Sequence, residues 1–294
     1  MVTIQFPLHG ALLNHRHGLQ DKNGLCVTVR GTADLGTRVR VNGVEATRRG
    51  QSFEAPLTLT TVWTEITATE DGPAGTADHT VKALWDRYSR KRYRFSIDDN
   101  SFFLRDLVRQ GHDSLFDSTY LAGLRALNRT YGAKFVLNLF RTTPTGDFSL
   151  ADMPTRYRGE WRDQADWLAL AFHADGEFPD RPYQYATPER LAADLDRVAE
   201  EIVRFAGAEI YSPPTVIHWG MCPPCCLPAL RERGVSVLSG FFGPGMDGRA
   251  DVNYNMDAER SDIIDREGAL VDVNTGMIFS RVDIVCNNTP VAAT

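Results

Sequence analysis

The sequence predicts an α/β protein, a parallel sheet or barrel, preceded by a small all-β sandwich. Three observations carry this expectation. Short alternating strands separated by turn residues run to about residue 88; strand–helix–strand grammar follows; and polar, titratable residues close the later strands. The expected division is therefore 1–88 for the sandwich and 89–294 for the α/β domain.

In the first segment, Leu25 to Arg30 alternates apolar and polar residues, and Arg38 to Val41 does the same. Asn42-Gly43 follows directly, the strongest short signal for a hairpin. Gln51 to Leu59 and Thr64 to Thr69 continue the pattern, and Asp71-Gly72 marks a further turn. The run from Val39 to Val44, followed by Gly50 to Phe53, resembles the Ig-like modules attached to bacterial carbohydrate-active enzymes. That resemblance implies a structural spacer first and a sugar-binding module second.

Beyond residue 90 the expected strands are Arg94–Asp98, Lys134–Phe140, Trp167–His173, Thr215–Trp219 and Val235–Phe241. The clearest helix starts at Thr187, a good N-cap, with Pro188 in the first helical position and Gly207 past the end. Leu191, Leu195, Val198, Ile202 and Phe205 make one apolar stripe along it. Phe116 to Tyr131 carries Tyr120, Leu121, Leu124 and Leu127 in the same manner. Alternating strands and helices mean parallel βαβ units, whose functional groups gather at the C-terminal ends of the strands. The acidic segment from Asp247 to Asp265 has no calcium-loop pattern and is expected to be an excursion over the rim.

Composition narrows the function classes. With 43% apolar and 24% charged residues, the 294-residue chain is that of an ordinary soluble protein. A net charge of −6 without a basic run argues against nucleic acid as the partner. No window approaches about 18 uninterrupted apolar residues, so no membrane span is expected. Met1 to Pro7 lacks a basic region followed by an apolar stretch; no secretory signal is expected, and the cytoplasm is the expected compartment. The five cysteines are odd in number and unevenly spaced, which does not suggest a disulfide framework. Cys222, Cys225 and Cys226 have redox-motif spacing but no second pair to complete a zinc site, and read as unpaired thiols at a turn before a helix.

The strand ends carry the chemistry. They present Asp98-Asp99-Asn100, then Asn138 and Arg141, then His173 with Glu177 four positions on, then His218-Trp219-Gly220. Adjacent aspartates repel; a divalent cation bound by one would relieve this and leave the other as a general base. His173 and Glu177 face the same way if the segment after the strand coils into a helical turn, which Gly176 and Pro179 keep short. Histidine and carboxylate ligands suit zinc first, with manganese or cobalt as alternatives. Asn138, Arg141 and Trp219 are the expected substrate-binding residues. Trp219 would form a stacking wall for a pyranose with Phe178 and Tyr183, and Arg141 would grip a carboxylate or sulfate unless it is salt-bridged.

The order of these motifs resembles the polysaccharide deacetylase family (NodB-homology, carbohydrate esterase family 4). Ser96-Ile97-Asp98-Asp99-Asn100 stands where the family has a motif ending Asp-Asp-Gly. His173 to Glu177 stands where it has His-Ser/Thr-x-x-His, and Ser212 to Gly220 where it has Arg-x-Pro-Tyr. The resemblance spans roughly residues 92 to 243. It extends to a divergent group of bacterial proteins with Ser-Ile-Asp-Asp-Asn, Lys-Phe-x-Leu-Asn-Leu-Phe, Phe-His-Ala and His-Trp-Gly in the same order. It implies a distorted (β/α) barrel and removal of an N- or O-acetyl group from a carbohydrate or glycoconjugate. It further implies Asp98 as general base and Asp99, His173 and Glu177 as metal ligands.

Two departures matter. A carboxylate in place of the second histidine makes any bound metal a poorer Lewis acid. The family's late Leu-x-His is missing, since no histidine follows His218. Either His218 supplies the acid, or the chain lacks the family's last elements. Two other functions compete with acyl transfer: glycosidic cleavage by Asp98 or Asp99 paired with Glu177 without metal, and a carbohydrate-binding or scaffold protein that has lost catalysis.

Overall fold

The computed structural model describes residues 1–73, 75–243 and 252–286. The chain divides into two compact units, one of Met1–Lys91 with Ala269–Ile278, the other of Arg92–Gly268 continuing from Phe279.

The first unit contains β1 (Thr3–Phe6), β2 (Leu12–Leu13), β3 (Leu19–Gln20), β4 (Leu25–Thr32) and β5 (Arg38–Val41). It continues with β6 (Val44–Glu45), β7 (Thr47–Arg49), β8 (Ser52–Leu59), β9 (Trp63–Gly72) and β10 (Gly75–Trp85). One sheet has the order β1-β4-β8-β7 with β3 also on β4; the other has the order β2-β10-β9-β5-β6. Only β2 and β10 pair in parallel; the other pairings here are antiparallel. Along β4, Leu25, Val27 and Val29 are buried while Cys26, Thr28 and Arg30 are exposed, the period of two that one buried face imposes. Those residues, Phe53 and Ala55 of β8, Val39 and Val41 of β5, and Ile66 and Ala68 of β9 form one apolar core between the sheets. Asn42 (φ 45°) and Gly43 (φ 84°) are both left-handed, as a two-residue hairpin between twisted strands requires, and set Val41 opposite Val44.

The second unit opens on β11 (Phe95–Asn100), followed by α1 (Phe102–Gln110), α2 (Thr119–Tyr131), β12 (Phe135–Phe140), α3 (Arg158–Arg162), β13 (Leu168–Ala174) and α4 (Pro188–Ala206). The strands β11, β12 and β13 form a parallel sheet in that order. α4 begins where its sequence dictates: Thr187 Oγ1 accepts a hydrogen bond from the Arg190 N–H at 3.3 Å. Its whole apolar stripe is buried, and the helix packs on β13. α2 starts later than its periodicity predicts, after a separate turn at Leu115–Asp117, and Leu127 at the end of its stripe is exposed.

The (β/α) barrel expected from the sequence does not form. After β13 the alternation of strand and helix breaks down. Thr215–Trp219 forms no strand: Pro213 and Pro214 remove two donors that a ladder needs, and His218–Gly220 closes a 3-10 turn with Trp219 at φ 62°. Tyr211 makes only an isolated parallel bridge to Leu170. α5 (Leu227–Glu232) leads to β14 (Val237–Gly240), which belongs to a separate small sheet. The architecture is thus several small sheets, one of them parallel, with helices on the parallel one.

Of the acidic segment, residues 247–251 lie outside the described residues. From Ala258 it is helical (α6, Ala258–Glu267), with Asp257 capping the Arg260 N–H at 2.8 Å. The chain then forms β15 (Ala269–Val271) and β16 (Ile278–Arg281). The segment from Ala269 to Ile278 belongs to the first unit, where the Val271 N–H donates to Gly10 O at 2.9 Å. Gly10 (φ 83°) permits this approach, because a Cβ there would sit 2.4 Å from Val271 O. Among the described residues no helix is long and apolar enough to cross a membrane.

Candidate metal centre

Two irregularities in the parallel sheet place the site. Ile97 pairs with Leu137 and Asn100 with Leu139, so Asp98 and Asp99 together face the single residue Asn138. Leu139 pairs with Phe172 and Phe140 with Ala174, so His173 is an extra residue without an opposite number. Each is a bulge, and a bulge re-aims side chains at a sheet edge. Asp99 lies at φ 58°. The turn is held from below: Asn100 Nδ2 donates to Ile97 O (2.6 Å) and Asp98 O (3.0 Å), and Tyr120 Oη donates to Asn100 Oδ1 (2.9 Å). Ser101 Oγ donates to Phe140 O at 2.7 Å and ties β11 to β12.

These devices bring Asp99 and His173 to His218. His173 Nε2 lies 3.1 Å from Asp99 Oδ1 and 3.1 Å from His218 Nδ1, and His218 Nδ1 lies 3.5 Å from Asp99 Oδ1. Three donors about 2.0–2.1 Å from one zinc ion in tetrahedral geometry stand about 3.3 Å apart. The triangle therefore matches three corners of such a site, and Asp99, His173 and His218 can hold a metal ion. Both imidazoles are buried while the Asp99 side chain is 61% exposed, so the centre opens to solvent on one side. The ring of Phe140 stands edge-on to His218 (centroids 4.9 Å apart, 87°) and tilted to His173 (5.3 Å).

Electrostatics favour a cation here. Burial, then the neighbouring His173, push the His218 imidazole down to about 4, so it is neutral and its lone pair free at pH 7. The hydrogen bond with His173 holds the Asp99 carboxyl below its ordinary range against the opposing effect of burial. One proton on His173 Nε2 can serve Asp99 or His218 but not both, whereas a cation satisfies all three atoms. The far nitrogen of His173, Nδ1, is buried without a hydrogen-bond partner among the described residues. Ring packing on Phe140 orients both rings, and the Glu177 main chain meets the His218 imidazole.

A pH dependence follows for the metal-free protein. The folded His218 binds its proton near 4 and an unfolded one near 6.5, so the unfolded chain takes up the proton first on acidification. Stability should fall as pH drops from 6.5 towards 4, and Asp99, depressed in the fold, extends the loss at lower pH. Urea titrations across this range should show the slope, and His218→Gln should flatten its upper part.

The other sequence-predicted residues are placed as follows. Glu177 is outside the converging set. The segment after β13 does not coil into a helical turn, so Glu177 does not stack below His173, and the third corner is His218. Asp98 is exposed beside Asp99, with Oδ1 bound to Asn138 Nδ2 at 2.6 Å. Asn138 is fully buried and faces Asp98 rather than solvent. Arg141 grips Asp175 through two nitrogens (2.5 and 3.1 Å), and Arg197 adds a third cationic contact at 3.7 Å. Asp175 is thus an anchor between two arginines. Tyr183 is buried with its hydroxyl on Asp194 and the Asp175 N–H, so it joins no stacking wall. Phe178 is exposed, and Trp219 is partly exposed beneath the Arg181 guanidinium, 5.3 Å from the ring centroid. All five cysteines are free; Cys222 and Cys226 are buried.

The left-handed backbone at Asp99 gives a separable test. Asparagine tolerates that region and keeps a polar partner for His173. Asp99→Asn should leave metal-free stability within about 0.5 kcal/mol and lower metal affinity by more than about tenfold. Asp99→Val, β-branched, should cost about 1–2 kcal/mol. Denaturant titration with and without metal checks both.

Comparison with known proteins adds little. No family model matches the chain. No curated protein matches it either. Similar solved structures include an engineered protein (23% identity, TM-score 0.23) that aligns with 29% of this chain and 20% of its own. A modular endo-β-1,4-mannanase from Cellulomonas fimi (21%, TM-score 0.22) covers 29% of this chain and 18% of its own. A double mutant of that mannanase gives 21%, a TM-score of 0.21 and the same coverages. The chain spans about a fifth of the length of these structures, and likenesses at such scores carry no argument about its activity. The converging side chains carry it instead.

Proposed function

We propose that the protein is a metal-dependent hydrolase that removes an acyl group, N- or O-acetyl, from a carbohydrate. The convergence of Asp99, His173 and His218 on one point, open on the Asp99 side, is the observation behind this reading. A divalent ion held there would polarise an acyl carbonyl and lower the pKa of a bound water. Zinc is the first choice for two imidazoles and one carboxylate. Asp98, next in the chain and exposed, would accept a proton from an attacking water and pass it to the departing amine or alcohol of the sugar as acetate forms. Carbohydrate as the acyl carrier is supported by the resemblance of Ser96–Asn100 and His173 to polysaccharide deacetylase motifs. His218, as a third ligand, is not the general acid of this reading.

The test is direct. Purified protein should bind close to one equivalent of zinc or cobalt and release acetate from an N-acetylated chitooligosaccharide or acetylated xylan. Asp98→Asn should keep the metal and lose about 10²–10⁴-fold in turnover. Failure to bind a divalent ion, or turnover indifferent to Asp98, would sink the proposal.

A further inference from the structure

The two adjacent carboxylates live in different surroundings, and that difference points to a role for a buried amide. Asp99 meets the imidazoles. Asp98 takes its hydrogen bonds from neutral donors, Asn138 Nδ2 at 2.6 Å and Ser96 Oγ at 3.2 Å, both on Oδ1, with the charge of Arg94 acting on it from further off. Asn138 Nδ2 also donates its second proton to Ser96 Oγ at 2.6 Å, so three side chains on adjacent strands close a ring of hydrogen bonds. Asp98 Oδ2 has no hydrogen-bond partner among the described residues.

Asn138 is fully buried, yet its Oδ1 has no hydrogen-bond partner among the described residues. An asparagine retained for packing would be expected to satisfy both ends of its amide. Here only the donor end is used, and turning the amide over would set Oδ1 against the Asp98 carboxylate, acceptor to acceptor. The amide orientation is therefore fixed by Asp98. The bulge that gives Asp98 and Asp99 one opposite residue makes that residue Asn138.

We infer that Asn138, with Ser96, is the positioning residue for Asp98: it holds Oδ1 in place and leaves Oδ2 as the oxygen that accepts a proton. This rests on the reading of Asp98 as the base. Asn138 thereby acts on the reaction through Asp98 and does not touch the substrate.

The experiment has two readouts. In isotope-labelled protein the Asn138 side-chain amide should give a hydrogen-bonded, exchange-protected NMR signal that shifts and loses protection in Asp98→Ala. In steady-state hydrolysis of an N-acetylated chitooligosaccharide by the zinc-loaded protein, Asn138→Ser and Ser96→Ala should each lower kcat. The loss should be about 10–100-fold for Asn138→Ser, as for a catalytic group displaced by about an ångström. KM and zinc affinity should stay within about twofold. Ser96 is only half-buried, so its variant guards against misfolding at Asn138. An amide signal indifferent to Asp98→Ala overturns the inference, as does a loss appearing in KM or zinc affinity with kcat preserved. If the parent protein shows no turnover while the amide signal still depends on Asp98, the hydrolase reading falls and the tether stands.

Discussion

Replacing His218 by alanine is expected to lower affinity for zinc or cobalt by more than about 100-fold, while Glu177→Gln leaves it within about threefold. The first figure is a lower bound, because changes to outer-shell partners alone reach 10–100-fold and His218 Nδ1 is one of three converging donors among the described residues. The second follows because Glu177 meets the His218 ring through its main chain, while its carboxylate is not among the converging atoms. Competition against a chromogenic chelator measures both, and His173→Ala should behave as His218→Ala does. A Glu177 variant that loses metal while His218→Ala retains it would restore the ligand set that the sequence suggests. Affinity should also weaken as pH falls towards about 4, because a proton then competes for His218, and at lower pH for Asp99.

Gly220→Ala is expected to destabilise the metal-free protein by about 2–3 kcal/mol and to weaken metal binding by about tenfold. Gly220 sits at φ 54°, where any side chain is strained by about 1 kcal/mol or more. A Cβ there would lie 2.4 Å from Val252 Cγ1 with Val252 O close behind at 3.3 Å, an overlap worth about 1–3 kcal/mol. The same residue closes the turn that carries His218: its N–H donates to Ile217 O and its carbonyl accepts from the Tyr254 N–H, each at 2.6 Å. A second change, Val252→Ala, should recover the overlap but not the backbone strain. Thermal unfolding with and without cobalt separates the two parts. An unchanged affinity in a destabilised Gly220→Ala protein would mean that the turn does not position the histidine.

Much of the local structure was legible. The Asn42-Gly43 hairpin, the alternation along β4 and the capped helix from Pro188 to Ala206 follow rules that act over a few residues, and the structure obeys them. The first three strands of the parallel sheet lie where apolar runs ending in polar residues place them, within a residue or two. What failed was the extrapolation from three such units to a barrel. Thr215 to Trp219 has a strand's composition, but two prolines before it and left-handed residues at 219 and 220 turn it aside. Its histidine still reaches the sheet end, by a turn instead of a ladder. Asp98, Asp99 and His173 could be picked out as strand-end groups, but the bulges that set their directions depend on pairing with β12 and leave no mark in periodicity. His218 takes the corner expected for the Glu177 carboxylate for the same reason: spacing along a chain says which residues could meet, while the path of the loop decides which ones do.

The segment from Ala269 to Ile278 has a consequence for how the chain is made. It completes the first unit, yet emerges after almost the whole of the second. During synthesis the β-rich unit therefore stays incomplete until most of the second has emerged, and until Val271 arrives the carbonyl of Gly10 waits without that partner. The two units are not beads that can be cut apart at residue 91. Whatever interrupts translation before residue 278 leaves both units unfinished.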